Sequence, residues 1–151
     1  MEAKRILRPS DQLRGILVIE DNPADARLIE EAFKKNTQLR VLTVVETASQ
    51  ALAFLKRESP YTTALRPTLI LLDWYIPGSG QAVLEQVRAD PELRRIPVIV
   101  LTGATEPGDL EAMYTLQVNS CIRKSADVEK FFEAMDMLAR YWCTVVRLPS
   151  H

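Results

Sequence analysis

Short aliphatic runs punctuate the chain, each closed by polar residues, and the segments between them carry helical spacing. Gly15-Ile16-Leu17-Val18-Ile19 ends in Glu20-Asp21-Asn22-Pro23, and Thr68-Leu69-Ile70-Leu71-Leu72 runs straight into Asp73. Arg40–Val45 is rich in β-formers, Pro97–Leu101 delivers Thr102-Gly103-Ala104-Thr105, and Ser120–Arg123 is a short fifth run ending at Lys124. Runs of this length between turn signals predict strands, and the purely aliphatic ones predict strands buried on both faces.

The intervening segments read as helices. Asn22 or Asp21 before Pro23 is an N-cap followed by proline in the first turn. The helix it opens should reach about Lys35, with Ala24, Leu28, Ile29, Ala32 and Phe33 inward. Ala48–Lys56 is helical through Ala51, Leu52 and Leu55, and Glu58–Pro67 is loop. Gly78-Ser79-Gly80 breaks the chain before a helix that turns Val83, Leu84 and Val87 inward and closes at Asp90-Pro91-Glu92-Leu93. Pro107–Leu116 is a further helix. Val128, Phe131, Phe132, Met135, Leu138 and Trp142 mark the inward face of a last one.

Strands alternating with helices across short loops imply parallel βαβ units with right-handed crossovers. The fold class is therefore α/β, a doubly wound five-stranded parallel sheet of order 2-1-3-4-5, flavodoxin-like in topology. At 151 residues the chain can bury one proper core. The expected division is a flexible tail over 1–14, one domain over 15–142, and a C-terminal tail over 143–151.

Composition narrows the function. Hydrophobic and charged fractions of 47% and 26% are those of a soluble protein. A net charge of −1 without a Lys/Arg cluster argues against nucleic acid as a partner. No apolar stretch approaches the roughly 20 residues that span a bilayer, so no membrane partner is expected. Met1–Arg14 carries Lys4, Arg5, Arg8 and Arg14 but no apolar centre, so it is not a secretory signal, and a cytoplasmic location follows. Cys121 and Cys143 are too isolated for a disulfide framework or a zinc site and read as small buried thiols. The sole histidine, His151, is at the end of the sequence, which removes most hydrolase triads and His-ligated metals.

In an open α/β sheet ligands bind beyond the carboxyl ends of the strands, at the topological switch point. There the first, third, fourth and fifth strands bring Glu20 and Asp21, Asp73, Thr102 and Lys124. Asp73 alone would be read as a turn residue; its weight comes from this convergence. Three neighbouring carboxylates repel, and one stays protonated unless a cation is present. Magnesium fits, a hard ion bound by one or two carboxylates plus water and phosphate oxygens. Lys124 adds a point charge suited to a phosphate and Thr102 a hydroxyl donor, with open space at Gly103. The chemistry indicated is a nucleophilic carboxylate with a metal to neutralise an incoming phosphoryl group.

These residues resemble the receiver domains of two-component response regulators, from about Gly15 to Tyr141. The resemblance rests on Glu20-Asp21, on Leu71-Leu72-Asp73 with Pro77 four residues on, on Val98–Thr102 and on Lys124. Separations of 29 residues from Asp73 to Thr102 and 22 from there to Lys124 match the pattern. It implies that Asp73 accepts a phosphoryl group from a sensor histidine kinase. Glu20, Asp21, Asp73 and the backbone carbonyl of Tyr75 would bind Mg2+, Thr102 would swing toward the phosphate, and Lys124 would pair with it. Such a protein promotes its own phosphorylation and dephosphorylation and turns over no separate substrate. Lys124-Ser125, the Glu58–Pro67 loop and Leu148-Pro149 look most like a subgroup of stand-alone regulators that partner phytochrome-type kinases.

The chain also departs from the pattern. Cys121 stands where an aromatic switch residue is common, with Tyr114 as a conceivable substitute. Ser125 replaces the proline that usually follows the lysine, which puts the usual cis peptide in doubt. The loop after Pro77 is one residue shorter than usual. Tyr75 places a ring where relatives have a smaller polar side chain, and that ring is expected to screen the acyl phosphate from water.

Thr144-Val145-Val146-Arg147-Leu148 has strand character with no following strand to pair with, and an exposed edge of this kind seeks another chain. A homodimer with the tails reaching across is the resulting expectation. With no output module after it, signalling would pass through protein contacts. Three other readings compete. An FMN-binding module would have its phosphate repelled by Glu20-Asp21. A haloacid-dehalogenase-type phosphatase would lack its second acid, because Tyr75 occupies that place. A degenerate receiver would act only as an unphosphorylated interaction module.

Overall fold

A computed structural model describes residues 15–35, 41–103 and 106–145. Five parallel strands, β1 (Gly15–Ile19), β2 (Val41–Val45), β3 (Leu69–Asp73), β4 (Val98–Thr102) and β5 (Ser120–Arg123), form one sheet of order β2-β1-β3-β4-β5. That is the topology anticipated from the pattern. β1, β3 and β4 are buried along their whole lengths, which is why they are aliphatic without alternation. The flanking β2 and β5 are only partly covered. Arg40, placed in the second strand from the sequence, lies outside the described residues, as do 1–14.

The helices are α1 (Pro23–Lys34), α2 (Ala48–Leu55), α3 (Gly80–Ala89), α4 (Asp109–Thr115) and α5 (Val128–Arg140), with a 3-10 turn at Leu93–Arg95. One layer of core, including Leu17, Ile19, Ile70, Leu72, Val83, Leu84 and Val100, fills the side of α2 and α3. The other, including Val18, Ile29, Phe33, Leu71, Leu101, Phe131 and Met135, fills the side of α1 and α5. Each central strand thus supplies alternate residues to the two layers.

Helix starts explain two differences from the sequence reading. The Asn22 side chain accepts from the N–H groups of Ala24 and Asp25 at 2.9 and 3.1 Å, with Pro23 opening the helix. Ala24 is exposed, not inward, because the buried face begins two residues later at Ala26 and continues through Ile29, Ala32 and Phe33. Likewise Val128 is 62% exposed: it follows the cap Asp127, ahead of the turn that first meets the core at Phe131.

At the far end of α5 the chain widens into a π-helical turn over Tyr141–Val145. Thr144 and Val145 are therefore helical, not the beginning of a strand. The helical path of α5 continues through them despite the β propensity of both residues. The remaining tail residues, 146–151, lie outside the described residues. No helix among the described residues is long and apolar enough to cross a membrane.

Candidate functional site

Parallel register puts the ends of four strands at one rim. Ile19 pairs with Leu72, and Asp73 pairs with Leu101, so Glu20 and Thr102 each lie one step past a paired residue beside Asp73. Thr102 pairs in turn with Arg123, and the Lys124 N–H donates to the Thr102 carbonyl at 2.8 Å. Glu20, Asp21, Asp73, Thr102 and Lys124, five of the six residues anticipated for the site, are therefore brought to one rim, and the sixth, Tyr75, follows two residues after Asp73. Glu20, Asp73 and Thr102 are buried, whereas Asp21 is exposed.

The carboxylates of Glu20, Asp21 and Asp73 each offer an oxygen within 4.8 Å of the others. Oxygen-only, anionic and open to water on one side, this cradle suits a hard divalent cation that keeps part of its water shell. Burial pushes the Glu20 carboxyl up to about 7, with the charge of Asp73 adding to the rise and Lys124 opposing it. Desolvation is the larger cause, and the neighbouring Asp73 charge adds to it even with the Lys124 ammonium beside the pair. Among the described residues Glu20 Oε2 has only the Lys124 ammonium as its partner. Oxygen donors, spacing and an under-compensated buried carboxylate together fit a hard divalent cation.

Lys124 Nζ stands 2.7 Å from Glu20, 3.0 Å from Asp25 and 3.2 Å from Asp73. Burial alone would lower its pKa, but hydrogen bonds to Glu20 and Asp25 and the charges of Glu20 and Asp73 raise it instead. The ammonium is thus a permanent cation, aimed at the phosphoacceptor candidate.

The loop after β3 is tied on both sides. Tyr75 N–H donates to Asp73 Oδ1 at 3.1 Å, orienting one carboxylate oxygen. Gly80 N–H donates to the Trp74 carbonyl at 3.0 Å. A Cβ at Gly80 would lie 2.6 Å from that carbonyl oxygen and 2.9 Å from the Asp73 carbonyl oxygen, so only glycine lets α3 start this close. The Tyr75 hydroxyl donates to Asp109 in the first turn of α4 and accepts the Glu106 N–H at 3.1 Å. This phenol–carboxylate bond raises the Tyr75 pKa and lowers that of Asp109, which also accepts from the Trp74 side chain. The ring expected to screen Asp73 is therefore held by its hydroxyl toward the start of α4.

Cys121 is half-buried against the α2–α3 layer, and burial raises its thiol pKa. Cys143 is buried, and both thiols are free. Tyr114 is an exposed residue of α4, 52% accessible. The cis peptide bond among the described residues is Ser59–Pro60, not Lys124–Ser125.

Sequence reasoning missed Asp25, Gly80 and Asp109. An acid in the first turn of a helix ordinarily reads as a dipole partner. A glycine ahead of a helix ordinarily reads as a breaker. Only the fold reveals that each touches the rim or its loops.

A 2-1-3-4-5 parallel sheet, with an acidic cradle and a lysine converging on an aspartate at the end of the third strand, defines a receiver module. The response regulator receiver domain matches residues 16–136, and the chain belongs to that family. It is 37% identical over 142 residues to the response regulator Rcp1 of Synechocystis sp., covering 93% of this chain and 97% of Rcp1. Among solved structures it resembles the phosphorylated cyanobacterial phytochrome response regulator RcpA, with a TM-score of 0.87 and 38% identity over 91% of this chain and 99% of that one. The Mn2+-bound form of Rcp1 is equally similar in fold, at a TM-score of 0.87 with 36% identity, over the same shares of both chains. The chain is thus a response regulator receiver domain, and its solved relatives include a phytochrome response regulator.

Proposed function

We propose that this protein is a phosphoacceptor for a sensor histidine kinase of the phytochrome type, working in the cytoplasm and signalling through protein contacts. The observation that carries the reading is the Lys124 ammonium 3.2 Å from Asp73, beside a cradle of two further carboxylates. An Asp73 carboxylate oxygen attacks the phosphorus of a phosphohistidine. The new O–P bond forms as the P–N bond breaks, and the departing imidazole nitrogen keeps the electron pair and takes a proton from solvent. Glu20, Asp21, Asp73 and the Tyr75 carbonyl would hold magnesium, which supplies positive charge against the phosphoryl oxygens.

Lys124 would exchange a carboxylate partner for a phosphoryl oxygen, and Thr102, at the neighbouring strand end, would donate its hydroxyl to another. Converting the Asp73 carboxylate into an acyl phosphate adds negative charge at the rim, and the loop leading to α4 is the segment this biases. Self-association as a homodimer through the C-terminal segment belongs to the same reading.

Acetyl phosphate with magnesium tests the chemistry. Intact mass should rise by one phosphoryl group in the wild type, and neither in Asp73→Asn nor with chelator. Uptake unaffected by Asp73→Asn would overturn the assignment, and no uptake by the wild type would leave a binding module only. Light scattering on the same samples should show a dimer that deletion of residues 144–151 turns into a monomer; an unchanged mass removes the arm.

A further inference from the structure

Asp25 has no place in the phosphoryl-transfer scheme above, yet it is one of three carboxylates that share Lys124. Its Oδ2 is 3.0 Å from the ammonium, and its own N–H is fixed by the Asn22 cap at 3.1 Å. The other two partners of Lys124, Glu20 and Asp73, belong to the acidic cradle; Asp25 does not. An ion entering the cradle takes the charge of Glu20 and Asp73 for itself, and it repels the ammonium beside it. Asp25 is then the one carboxylate of the three still free to hold Lys124.

We propose that Asp25 is a positioning residue: it holds the Lys124 ammonium beside the metal cradle while an ion is bound and the phosphoryl group has not yet arrived. The proposal rests on the reading that Glu20, Asp21 and Asp73 hold a divalent cation. Its placement suits the task. Asp25 lies in the first turn of α1, where the cap and Pro23 fix the backbone, and it reaches Lys124 across 99 residues of sequence. When a phosphoryl group arrives, Lys124 moves to it over a short distance, because it has been kept at the rim and not driven into solvent.

Two explanations of an Asp25 effect predict opposite orderings. If Asp25 acted only by its own negative field, Asp25→Asn would weaken Mg2+ binding as much or more when position 124 is neutral, since no ammonium then offsets its charge. If it acts by restraining Lys124, the loss is larger when the lysine is present. Calorimetric titration with Mg2+, without phosphodonor, on wild type, Asp25→Asn, Lys124→Met and the double variant separates them. The expected loss from Asp25→Asn is about tenfold in the lysine background and under about threefold in the methionine background, the scale on which outer partners tune metal sites. Asp25→Glu, which keeps the carboxylate, should recover most of the affinity. Equal losses in both backgrounds, or a larger one with methionine, would overturn the positioning role while leaving the metal site standing. No Mg2+ binding by folded wild-type protein would overturn the metal reading and this inference together.

Discussion

Burial holds the Glu20 carboxyl near 7 against an ordinary 4.5, so between those values the folded chain keeps a proton that the unfolded chain releases. Stability contributed at this residue is greatest below the unfolded value and falls as pH rises through 7, because more protons are then bound to the folded state. Lys124 titrates far above this window and does not alter its sign. Compared with Glu20→Gln, which cannot titrate, the metal-free wild type should lose ground in urea unfolding from about pH 5 to about pH 8. Saturating magnesium should abolish the difference in slope by taking over the ionised carboxylate. Parallel pH profiles for the two proteins without metal would show that Glu20 ionises normally.

Residues of this rim were legible in the sequence to the extent that strand ends announce themselves. Glu20, Asp73, Thr102 and Lys124 each follow directly from the carboxyl end of an aliphatic or β-rich run, so topology alone carries them together. Asp25 was not legible, because nothing local separates an acid that touches a distant lysine from one that complements a helix dipole. The Tyr75–Asp109 contact joins residues 34 apart through two loops, and no periodicity encodes such a pairing.

Strand boundaries were read to within about a residue, both for strands buried on two faces and for the partly covered β5. β1 and β5 end at the residues the pattern marks, and β3 and β4 differ by a single residue at one or both ends. Helices were less sharp at their starts, since a cap fixes where a helix begins but not which residue of its first turn meets the core. Ala24 and Val128 illustrate that gap. The short connection into α3 is the element that fixes the site's floor. Gly80→Ala places a methyl group against the Trp74 and Asp73 carbonyls, a steric conflict of the size that costs about 1–3 kcal/mol. Its urea midpoint should fall accordingly, and phosphoryl uptake should slow, because relief requires the Asp73–Trp74 segment to shift. An unchanged midpoint would mean that α3 can withdraw freely and that the close approach is not needed.

For the molecule as a whole, the alternation of strand and helix decides the topology, the topology decides the rim, and the rim decides the chemistry. What pattern cannot supply is how the receiver passes its state onward. With Cys121 half-buried where an aromatic switch is common, the Tyr75 and Trp74 contacts to Asp109 form a direct side-chain link from the loop after Asp73 to α4. The chemistry turns on one bound phosphoryl group meeting Asp73, Thr102 and Lys124 at once. A crystal structure with magnesium and beryllium trifluoride, a stable mimic of the phosphoryl group, tests it directly. The expected result is beryllium bonded to an Asp73 carboxylate oxygen, one fluorine accepting from Lys124 Nζ and another from the Thr102 hydroxyl. A structure in which the mimic sits on Asp73 while Lys124 stays with Glu20 and Asp25 would contradict it.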